Sequence, residues 1–273
     1  TVSATSPDGA YTYTDDVQVE VDKGEYEVLE DLAVAKNYDN VYTVVQGAGN
    51  YSMTINGESA TTAPTFKSGA LSIATTNFDG LNGIQVVTLE NGDKKYVLDA
   101  EIYDRAISSA DEFLAWYNKN GDYKGIKGNT EKVILTADIN LSGKELDDHI
   151  GSDIWKTLNN PNNLYTDSVG FCGTLNGNGF TISNAKTNQG LFPAISAPGV
   201  VKNLIVTNMT TTRANGNGGF IGVYNLGTVE NCYINISKDN PTTRGPFATL
   251  EASASIKNCV IDFPMHDDYK FVE

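Results

Sequence analysis

The chain has 273 residues, a formal net charge of −15 and three cysteines. This length allows one large domain or two ordinary ones, each able to bury a core without disulfides. The charge is uneven: residues 1–105 carry 17 acidic and 6 basic side chains, and residues 106–273 carry 17 and 13. Nucleic acid and anionic membrane surfaces are disfavoured as partners, because both require a basic footprint. No apolar run is long enough for membrane insertion.

Short alternating runs with frequent turn signals fill residues 1–105. Half-buried strands are predicted at residues 17–21, 26–29, 42–45, 51–55, 71–73, 84–89 and 95–103. Asn56-Gly57 and Asn91-Gly92 are strong hairpin signals. This segment is therefore predicted to form an antiparallel β-sandwich, Ig-like in general architecture but without the Cys-Trp-Cys pattern of true immunoglobulin domains.

One amphipathic helix is predicted to follow the sandwich. Ser109 and Glu112 stand at the N-cap and N3 positions of a capping box. The apolar face of about three turns comprises Phe113, Leu114, Trp116 and Tyr117. The segment 118–121 ends the helix, which is expected to cover the exposed strand edges and core of the domain that follows.

A four-residue motif recurs in the second half of the chain: an apolar residue, a polar residue, Asn, and an apolar or small residue. Its asparagines are Asn184, Asn203, Asn231 and Asn258, at spacings of 19, 28 and 27 residues. A Gly-led motif opens a strand before each of the last three copies, at 190–192, 219–221 and 245–247. Repeats without a helical stripe predict a parallel β-helix. The four amides are predicted to stack along a single axis at left-handed corners.

The cysteines do not form a disulfide framework. Cys232 and Cys259 occupy the same repeat position, directly after the asparagine. The favoured interpretation is a buried stack of small hydrophobic side chains. A disulfide between adjacent turns stays open as an alternative, because a strand spacing of ~4.8 Å falls within the allowed Cα separation. Cys172 is then expected to be free and packed inside the solenoid.

Several motifs carry a family likeness. They are ADINLSG at 137–143, FCGTLNGNGFTISN at 171–184, GLFPAI at 190–195 and VVKNLIVTN at 200–208. With these motifs the chain resembles extracellular bacterial right-handed β-helix proteins with GLUG-type repeats, whose broad fold is pectin-lyase-like. The region up to residue 105 resembles the Ig-like modules that flank such solenoids. The resemblance implies an all-β protein, secreted or at the cell surface, with a sandwich at 1–105 and a short right-handed, helix-capped β-helix at 106–273.

A long polar excursion, residues 142–169, contains the first candidate site. Its carboxylates, next to His149, are Glu145, Asp147, Asp148 and Asp153. Clustered carboxylates can bind Ca²⁺ or act as acid–base groups. The favoured alternative is a solvated acidic loop, because the spacing is not that of an EF-hand. Ca²⁺ is the one cofactor that the sequence suggests.

The second candidate site is a pair of arginines, Arg213 and Arg244, each following Thr-Thr. In polysaccharide lyases of the fold that the chain resembles, an Arg or Lys beside Ca²⁺ abstracts a proton α to a uronate carboxylate. Such a base needs neighbours that suppress its charge, and Asp239 is the one carboxylate nearby in sequence. The favoured alternative is that each arginine orders a loop or covers apolar surface with its stem.

The third candidate site is a set of aromatic residues that could stack on sugar rings: Trp155, Tyr165 and Tyr224. Anchoring of the excursion to the solenoid is the favoured role for them. Near the C-terminus, His266 beside two aspartates is interpreted as solvated.

These observations favour a non-catalytic adhesive or glycan-contacting module, because a solenoid presents a long side wall to extended ligands. Its partner would be an extracellular polysaccharide or a host glycan. Two alternatives stay open. One is a polysaccharide lyase or glycoside hydrolase acting on an extended polysaccharide, and the other is a passive structural stalk.

Overall fold

The computed structural model describes residues 2–5, 12–15, 29–43, 45, 49–67, 70–92, 94–118, 129–144, 146, 170–187, 190–211, 220–237, 247 and 254–262. The predicted strand at 17–21 and residues 26–28 of the predicted strand at 26–29 lie outside these ranges. Within them the chain is mainly β, with antiparallel sheets first and a parallel solenoid after.

Within the described ranges, ten strands build the N-terminal region. They are β1 (Val2–Thr5), β2 (Thr12–Asp15), β3 (Leu32–Ala35), β4 (Asn40–Thr43), β5 (Ser52–Ile55), β6 (Glu58–Ser59), β7 (Thr65–Lys67), β8 (Ala70–Ala74), β9 (Gly83–Asn91) and β10 (Lys94–Tyr103). A 3-10 turn at Thr75–Phe78 follows β8. The strands form a five-stranded sheet in the order β3-β10-β9-β5-β6, a three-stranded sheet in the order β4-β8-β7, and the pair β1-β2.

The two larger N-terminal sheets share one core. Leu89 and Leu98 of the five-stranded sheet and Leu71 and Ile73 of the three-stranded sheet belong to the same buried cluster. All pairings within these sheets are antiparallel except that of β3 with β10, which is parallel. The antiparallel prediction is confirmed, and the parallel pair is an addition to it.

The two hairpin signals have different outcomes. Asn56 and Gly57 form the β5–β6 turn, with φ of 53° and 87°, as predicted. At the second signal, β9 continues through Asn91, which pairs with Lys94. The loop therefore begins at Gly92, one position later than predicted, and Gly92 supplies a left-handed φ of 59°.

One helix and fourteen strands are described in the second region. They are β11 (Arg105–Ile107), α1 (Ala110–Tyr117), β12 (Lys132–Leu135), β13 (Ile139–Asn140), β14 (Thr174–Asn176), β15 (Thr181–Ser183), β16 (Lys186–Thr187), β17 (Phe192–Ile195), β18 (Val200–Lys202), β19 (Ile205–Thr211), β20 (Ile221–Asn225), β21 (Thr228–Glu230), β22 (Tyr233–Ile236), β23 (Ser255–Lys257) and β24 (Val260–Asp262).

Three parallel sheets line the sides of this solenoid. The first has the order β11-β12-β14-β18-β21-β23, and the second has the order β13-β15-β19-β22-β24, with β16 also pairing with β19. The third consists of β17 and β20 and is extended by isolated bridges from Phe171 to Ile195 and from Ile221 to Phe247. Each rung thus stacks on its predecessor, and the predicted parallel β-helix is confirmed.

A column of aromatic rings runs through the solenoid core. Ring centroids are 5.8 Å apart for Trp116 and Phe171, 5.6 Å for Phe171 and Phe192, 5.5 Å for Phe192 and Phe220, and 6.1 Å for Phe220 and Phe247. All five side chains are buried. Because Trp116 lies on α1, the helix closes one end of the column, as the amphipathic pattern predicted.

The α1 cap departs from the predicted box in one bond. The Ser109 hydroxyl accepts the Glu112 N–H at 3.3 Å, as predicted. The Glu112 carboxylate, however, accepts the N–H of Ser108 at 2.7 Å, one residue before the N-cap. This backbone bond, with the Ser108 hydroxyl, lowers the pKa of Glu112. At the other end of the helix, the buried Tyr117 hydroxyl donates to the Leu191 carbonyl at 2.8 Å.

The first asparagine ladder follows the corner between the first and second sheets. Asn258 donates to Asn231 at 3.3 Å, Asn231 donates to Asn203 at 3.2 Å, and Asn203 donates to Asn176 at 3.1 Å. The backbone is left-handed at Asn203, Asn231 and Asn258, with φ between 50° and 53°. Three of the four predicted asparagines therefore stack as expected.

The prediction for Asn184 is wrong, because this residue belongs to a second ladder. Asn184 donates to Asn140 at 2.9 Å, and Asn208 donates to Asn184 at 2.6 Å. The register explains the difference: Ile182 pairs with Val206 and not with Val201. The same four-residue motif closes the second sheet as well as the first, which also explains the short spacing of 19 residues.

Cys172, Cys232 and Cys259 are all described, and none of them is in a disulfide. Cys232 is 3% exposed and belongs to the solenoid core, and Cys259 is half-buried and packs against that core. Cys172 is half-buried and its thiol donates to the Gly170 carbonyl at 3.4 Å. The favoured interpretation of stacked small side chains therefore matches the structure.

The two regions meet at β10 and the first solenoid rungs. The buried Tyr103 hydroxyl donates to a Glu101 carboxylate oxygen at 2.6 Å and accepts the Asn176 amide N–H at 2.6 Å. Lys202 reaches the same carboxylate at 3.1 Å. Burial, and after it the Glu101 contact, raise the pKa of Tyr103. The first asparagine ladder therefore ends in a polar network that joins the two regions.

Candidate functional site

Most residues of the three predicted sites lie outside the described ranges. These are Glu145, Asp147, Asp148 and Asp153 with His149, then Arg213, Asp239 and Arg244, and also Trp155 and Tyr165. Tyr224 is described in its backbone alone, within β20, where it pairs with Ala194. Calcium binding, lyase chemistry and sugar stacking at these positions stay predictions.

The part of the chain that the structure describes contains no group of three or more His, Cys, Asp or Glu side chains placed to hold a metal. Within the same part, no helix has the length and apolar character needed to cross a membrane.

The structure instead forms a groove where the N-terminal sheets meet the first solenoid rungs. Its volume is about 1100 Å³. Pockets for small molecules measure roughly 300–1,000 Å³, so the groove is large enough for an extended ligand. Its walls come from both regions: β3 and β4 on one side, and residues of β11, β12 and the corner at Asn178 on the other.

Two exposed tyrosines stand along the groove. Tyr38 lies in the turn after β3 and is 41% exposed, and Tyr42 lies on β4 and is 55% exposed. The Tyr38 hydroxyl is 3.4 Å from the Thr136 hydroxyl, so it reaches across from the sheet to the solenoid. An exposed tyrosine offers a ligand the apolar face of its ring and a hydroxyl group that can form hydrogen bonds.

Amide side chains provide part of the polar lining. Asn40 is two residues before Tyr42 on β4, so both project from the same face of the strand. Asn178 is an exposed corner residue with a φ of 51°, and its N–H is bonded to the Asn176 side chain at 2.9 Å. Each amide offers donors and an acceptor to a ligand.

The turn that carries Tyr38 is fixed to the solenoid by the residues before it. The Asn37 side chain accepts the Ala106 N–H at 2.7 Å and donates to the Ala106 carbonyl at 3.1 Å. Lys36 forms an ion pair with Asp104 at 3.2 Å. Since Asn37 satisfies both backbone groups of one β11 residue, the turn holds a set position above the first rung.

The charged lining residues are both acidic, Glu30 and Asp31. The Asp31 carboxylate accepts the Asp99 N–H at 3.1 Å, which ties it to β10. Lysine, arginine and histidine do not occur among the described residues that line the groove. The groove therefore disfavours polyanionic ligands and tolerates uncharged ones.

The sequence patterns did not predict this groove. Tyr42 was expected only as part of a strand, and no site was predicted at Tyr38. One signal was available, because Asn40 and Tyr42 alternate within a short strand next to a polar turn. What it could not supply was the opposite wall, which depends on contacts between Asn37 and Ala106, 69 residues apart.

Comparison of the sequence with models of known protein families and with curated proteins gives no match. The groove and the solenoid geometry are therefore the basis for assigning a function.

Proposed function

We propose that this chain is a non-catalytic module of a secreted or cell-surface protein, which contacts an extended, uncharged glycan. The observation that carries this proposal is the groove of about 1100 Å³ with exposed Tyr38 and Tyr42 on one wall and Asn178 on the other. The resemblance of the solenoid motifs to GLUG-type, pectin-lyase-like repeats supports the same extracellular role.

The lining chemistry suits a sugar chain. The apolar face of a pyranose ring can pack on a tyrosine ring, and its hydroxyls can bond to the amides of Asn40 and Asn178. Glycans offer both surfaces along their length. Uncharged polymers are preferred over uronates, because Glu30 and Asp31 would repel a polyanion.

A binding role is favoured over hydrolysis by the placement of the acidic residues. Glycoside hydrolases use two carboxylates on opposite sides of the scissile bond, roughly 5–9.5 Å apart. In the groove the two candidates are sequence neighbours, and the Asp31 carboxylate already accepts a backbone N–H from β10. This arrangement suits a structural role for Asp31.

The test is an array of uncharged and uronate polysaccharides, probed with the whole chain with and without Ca²⁺. Tyr42→Ala should weaken binding of an uncharged polymer by about tenfold, as expected for one stacking contact of about 1.4 kcal/mol. Phe66→Ala is the matched control, because Phe66 is an exposed aromatic on β7 outside the groove. It should bind like the unmodified chain.

Two outcomes would contradict the proposal. Absence of binding to every uncharged polymer would remove the glycan role and leave a scaffold. Release of unsaturated uronate products would favour the lyase alternative instead. A difference between the measurements with and without Ca²⁺ would indicate that the acidic excursion at 142–169 takes part.

A further inference from the structure

We propose that Cys232 and Cys259 form an oxidisable thiol pair that closes into a disulfide across two adjacent solenoid rungs. The inference stands apart from the glycan groove, since it concerns the other end of the described solenoid. Three observations support it: the register of the strands that flank the two cysteines, the equivalent carbonyl contacts of the two thiols, and the greater exposure of Cys259.

The backbone places the two thiols one rung apart. Glu230 pairs with Lys257 before them, and Tyr233 pairs with Val260 after them. Two backbone bonds enclose the pair: Asn231 N–H to the Lys257 carbonyl at 3.0 Å, and Val260 N–H to the Cys232 carbonyl at 2.9 Å. Adjacent strands lie about 4.8 Å apart, which is inside the range of Cα separations that disulfides bridge.

The sulfur atoms have matching environments. The Cys232 thiol points towards the Glu230 carbonyl at 3.2 Å and the Val201 carbonyl at 3.8 Å. The Cys259 thiol makes the equivalent contacts one rung later, at 3.2 Å to Lys257 and 3.7 Å to Val229. The side chains therefore share one orientation and stack. Closing a bond requires rotation of the sulfurs towards each other at a corner, outside the regular strands.

The two thiols differ in reactivity. Cys259 is half-buried, whereas Cys232 is 3% exposed. The hydrogen bond with Cys232 lowers the pKa of Cys259 to about 6, and the same contact together with burial raises the pKa of Cys232. Glu230, next to the pair, opposes this effect on Cys259. An accessible thiolate beside a buried thiol is the arrangement of an attacking and a resolving cysteine.

The reaction is thiol–disulfide exchange with a small-molecule disulfide, which is the oxidant. The Cys259 thiolate attacks one sulfur of the small molecule, forms a mixed disulfide and expels one small thiolate. Cys232 then loses its proton to solvent, attacks the Cys259 sulfur and expels the second small thiolate. Two electrons pass from the cysteine pair to the oxidant, and one intramolecular disulfide remains.

The experiment treats the folded, reduced chain with oxidised glutathione and maps the products by peptide mass spectrometry. We expect a Cys232–Cys259 linked peptide that is lighter by two hydrogen atoms, and a rise in Tm of at least about 5 °C, because a loop of roughly 27 residues is closed. Dithiothreitol should reverse both changes. Cys172→Ala is the matched control and should behave like the unmodified chain.

The single variants test the assigned order of attack. Cys232→Ala should accumulate glutathione on Cys259, because the resolving thiol is missing, and Cys259→Ala should react slowly with Cys232. The inference is overturned by any of three results: Cys172 as a partner in the linkage, a stable mixed disulfide on the unmodified chain, or thiols that react only after unfolding. Cysteine to alanine keeps the buried site apolar, and a melting curve for each variant separates failed folding from failed chemistry.

Discussion

The solenoid and the N-terminal sheets are both β-structures, but their contacts follow different rules. In the solenoid, four of the described amide-ladder bonds join residues 24 to 28 positions apart, which is the step to the next rung. The bond from Asn184 to Asn140 spans 44 positions, because the sequence segment 142–169 lies between these two residues. In the N-terminal region, a two-residue turn at Asn56 joins β5 to β6, whereas a contact from Asp31 to Asp99 spans 68 residues. One spacing, interrupted once, recurs along the solenoid, whereas several unrelated pairings define the N-terminal region.

This difference has an energetic consequence. A solenoid rung contacts mainly its two neighbours, so stability is close to a sum of rung and interface contributions. The N-terminal sheets share a single cluster with members from β3, β5, β8, β9 and β10. Damage should therefore stay local along the solenoid axis but affect the whole N-terminal core.

The largest expected effect comes from matched phenylalanine truncations. Phe192→Ala removes a ring that lies between Phe171 and Phe220 in the aromatic column, and Phe78→Ala removes a buried ring from the N-terminal core. Each should lower the free energy of unfolding by about 3–5 kcal/mol. Chemical denaturation measures the cost, and hydrogen exchange followed by mass spectrometry locates it.

The pattern of hydrogen exchange distinguishes local damage in the solenoid from damage to the whole N-terminal core. Phe192→Ala should speed exchange most in the flanking strands β17 and β20, with β5 and β9 little changed. Phe78→Ala should speed exchange throughout the N-terminal sheets. Uniform acceleration of the whole chain in both variants would show that the two regions unfold as one unit and would contradict the comparison.

The solenoid was predictable from sequence because equivalent positions of successive repeats pair with each other in adjacent rungs. The motif at Asn203, Asn231 and Asn258 gives the first ladder and the register around it. It failed at Asn184, since the same apolar-polar-Asn pattern ends two different sheets and a local pattern cannot tell them apart. The α1 cap followed from the amphipathic pattern at 113–117. The ring column was not predicted, although Phe192, Phe220 and Phe247 belong to the Gly-led motifs.

The N-terminal region was predictable only in its local part. Turn residues identify the hairpin at Asn56, because a positive φ needs Asn or Gly. The parallel pairing of β3 with β10 has no local signal, and the groove depends on that pairing and on the Asn37 contact with Ala106. Tyr38 and Tyr42 therefore acquire their role only through long-range contacts.

A middle-sized effect is expected where the two regions join. Tyr103→Phe leaves the Asn176 amide without its acceptor and removes a donor from Glu101 in a buried network. The cost should be about 1–3 kcal/mol. Because this hydroxyl bonds to Glu101 on β10 and to Asn176 on β14, the variant should speed hydrogen exchange in both strands. A change confined to one region would show that the network does not couple them.

The same variant has a defined pH dependence. The pKa of Tyr103 is raised above its ordinary value of 10.0 in the folded chain, first by burial and then by its contact with Glu101. Its stabilising contribution is therefore fully present below pH 10 and is lost as pH rises towards the folded-state pKa. The difference in the free energy of unfolding between the unmodified chain and Tyr103→Phe should stay constant between pH 7 and 9 and narrow above pH 10. Chemical denaturation at each pH measures this difference.

The smallest expected effect compares two asparagines with the same backbone. Asn231 in the solenoid and Asn56 in the hairpin both have a φ of 53°. Asn231 bonds to Asn203 and Asn258 at 3.2 and 3.3 Å, whereas Asn56 bonds to Gln85 at 2.7 Å and to the Val86 N–H at 3.0 Å. Asn→Gly keeps the backbone and removes the side-chain bonds, while Asn→Ala also adds the left-handed penalty of about 1–2 kcal/mol.

The difference between the alanine and glycine variants should thus be the same at both sites, because the backbone penalty is local. The cost of glycine should be about 0.5 kcal/mol at Asn231 and about 1 kcal/mol at Asn56, whose bonds are shorter and include a backbone N–H. Urea denaturation of the four variants measures both quantities. If the alanine and glycine variants differed by unequal amounts at Asn231 and Asn56, the backbone penalty would not be local. The neighbours of Asn231 along the ladder would then influence its backbone, and the two regions would differ even in how they tolerate a single strained residue.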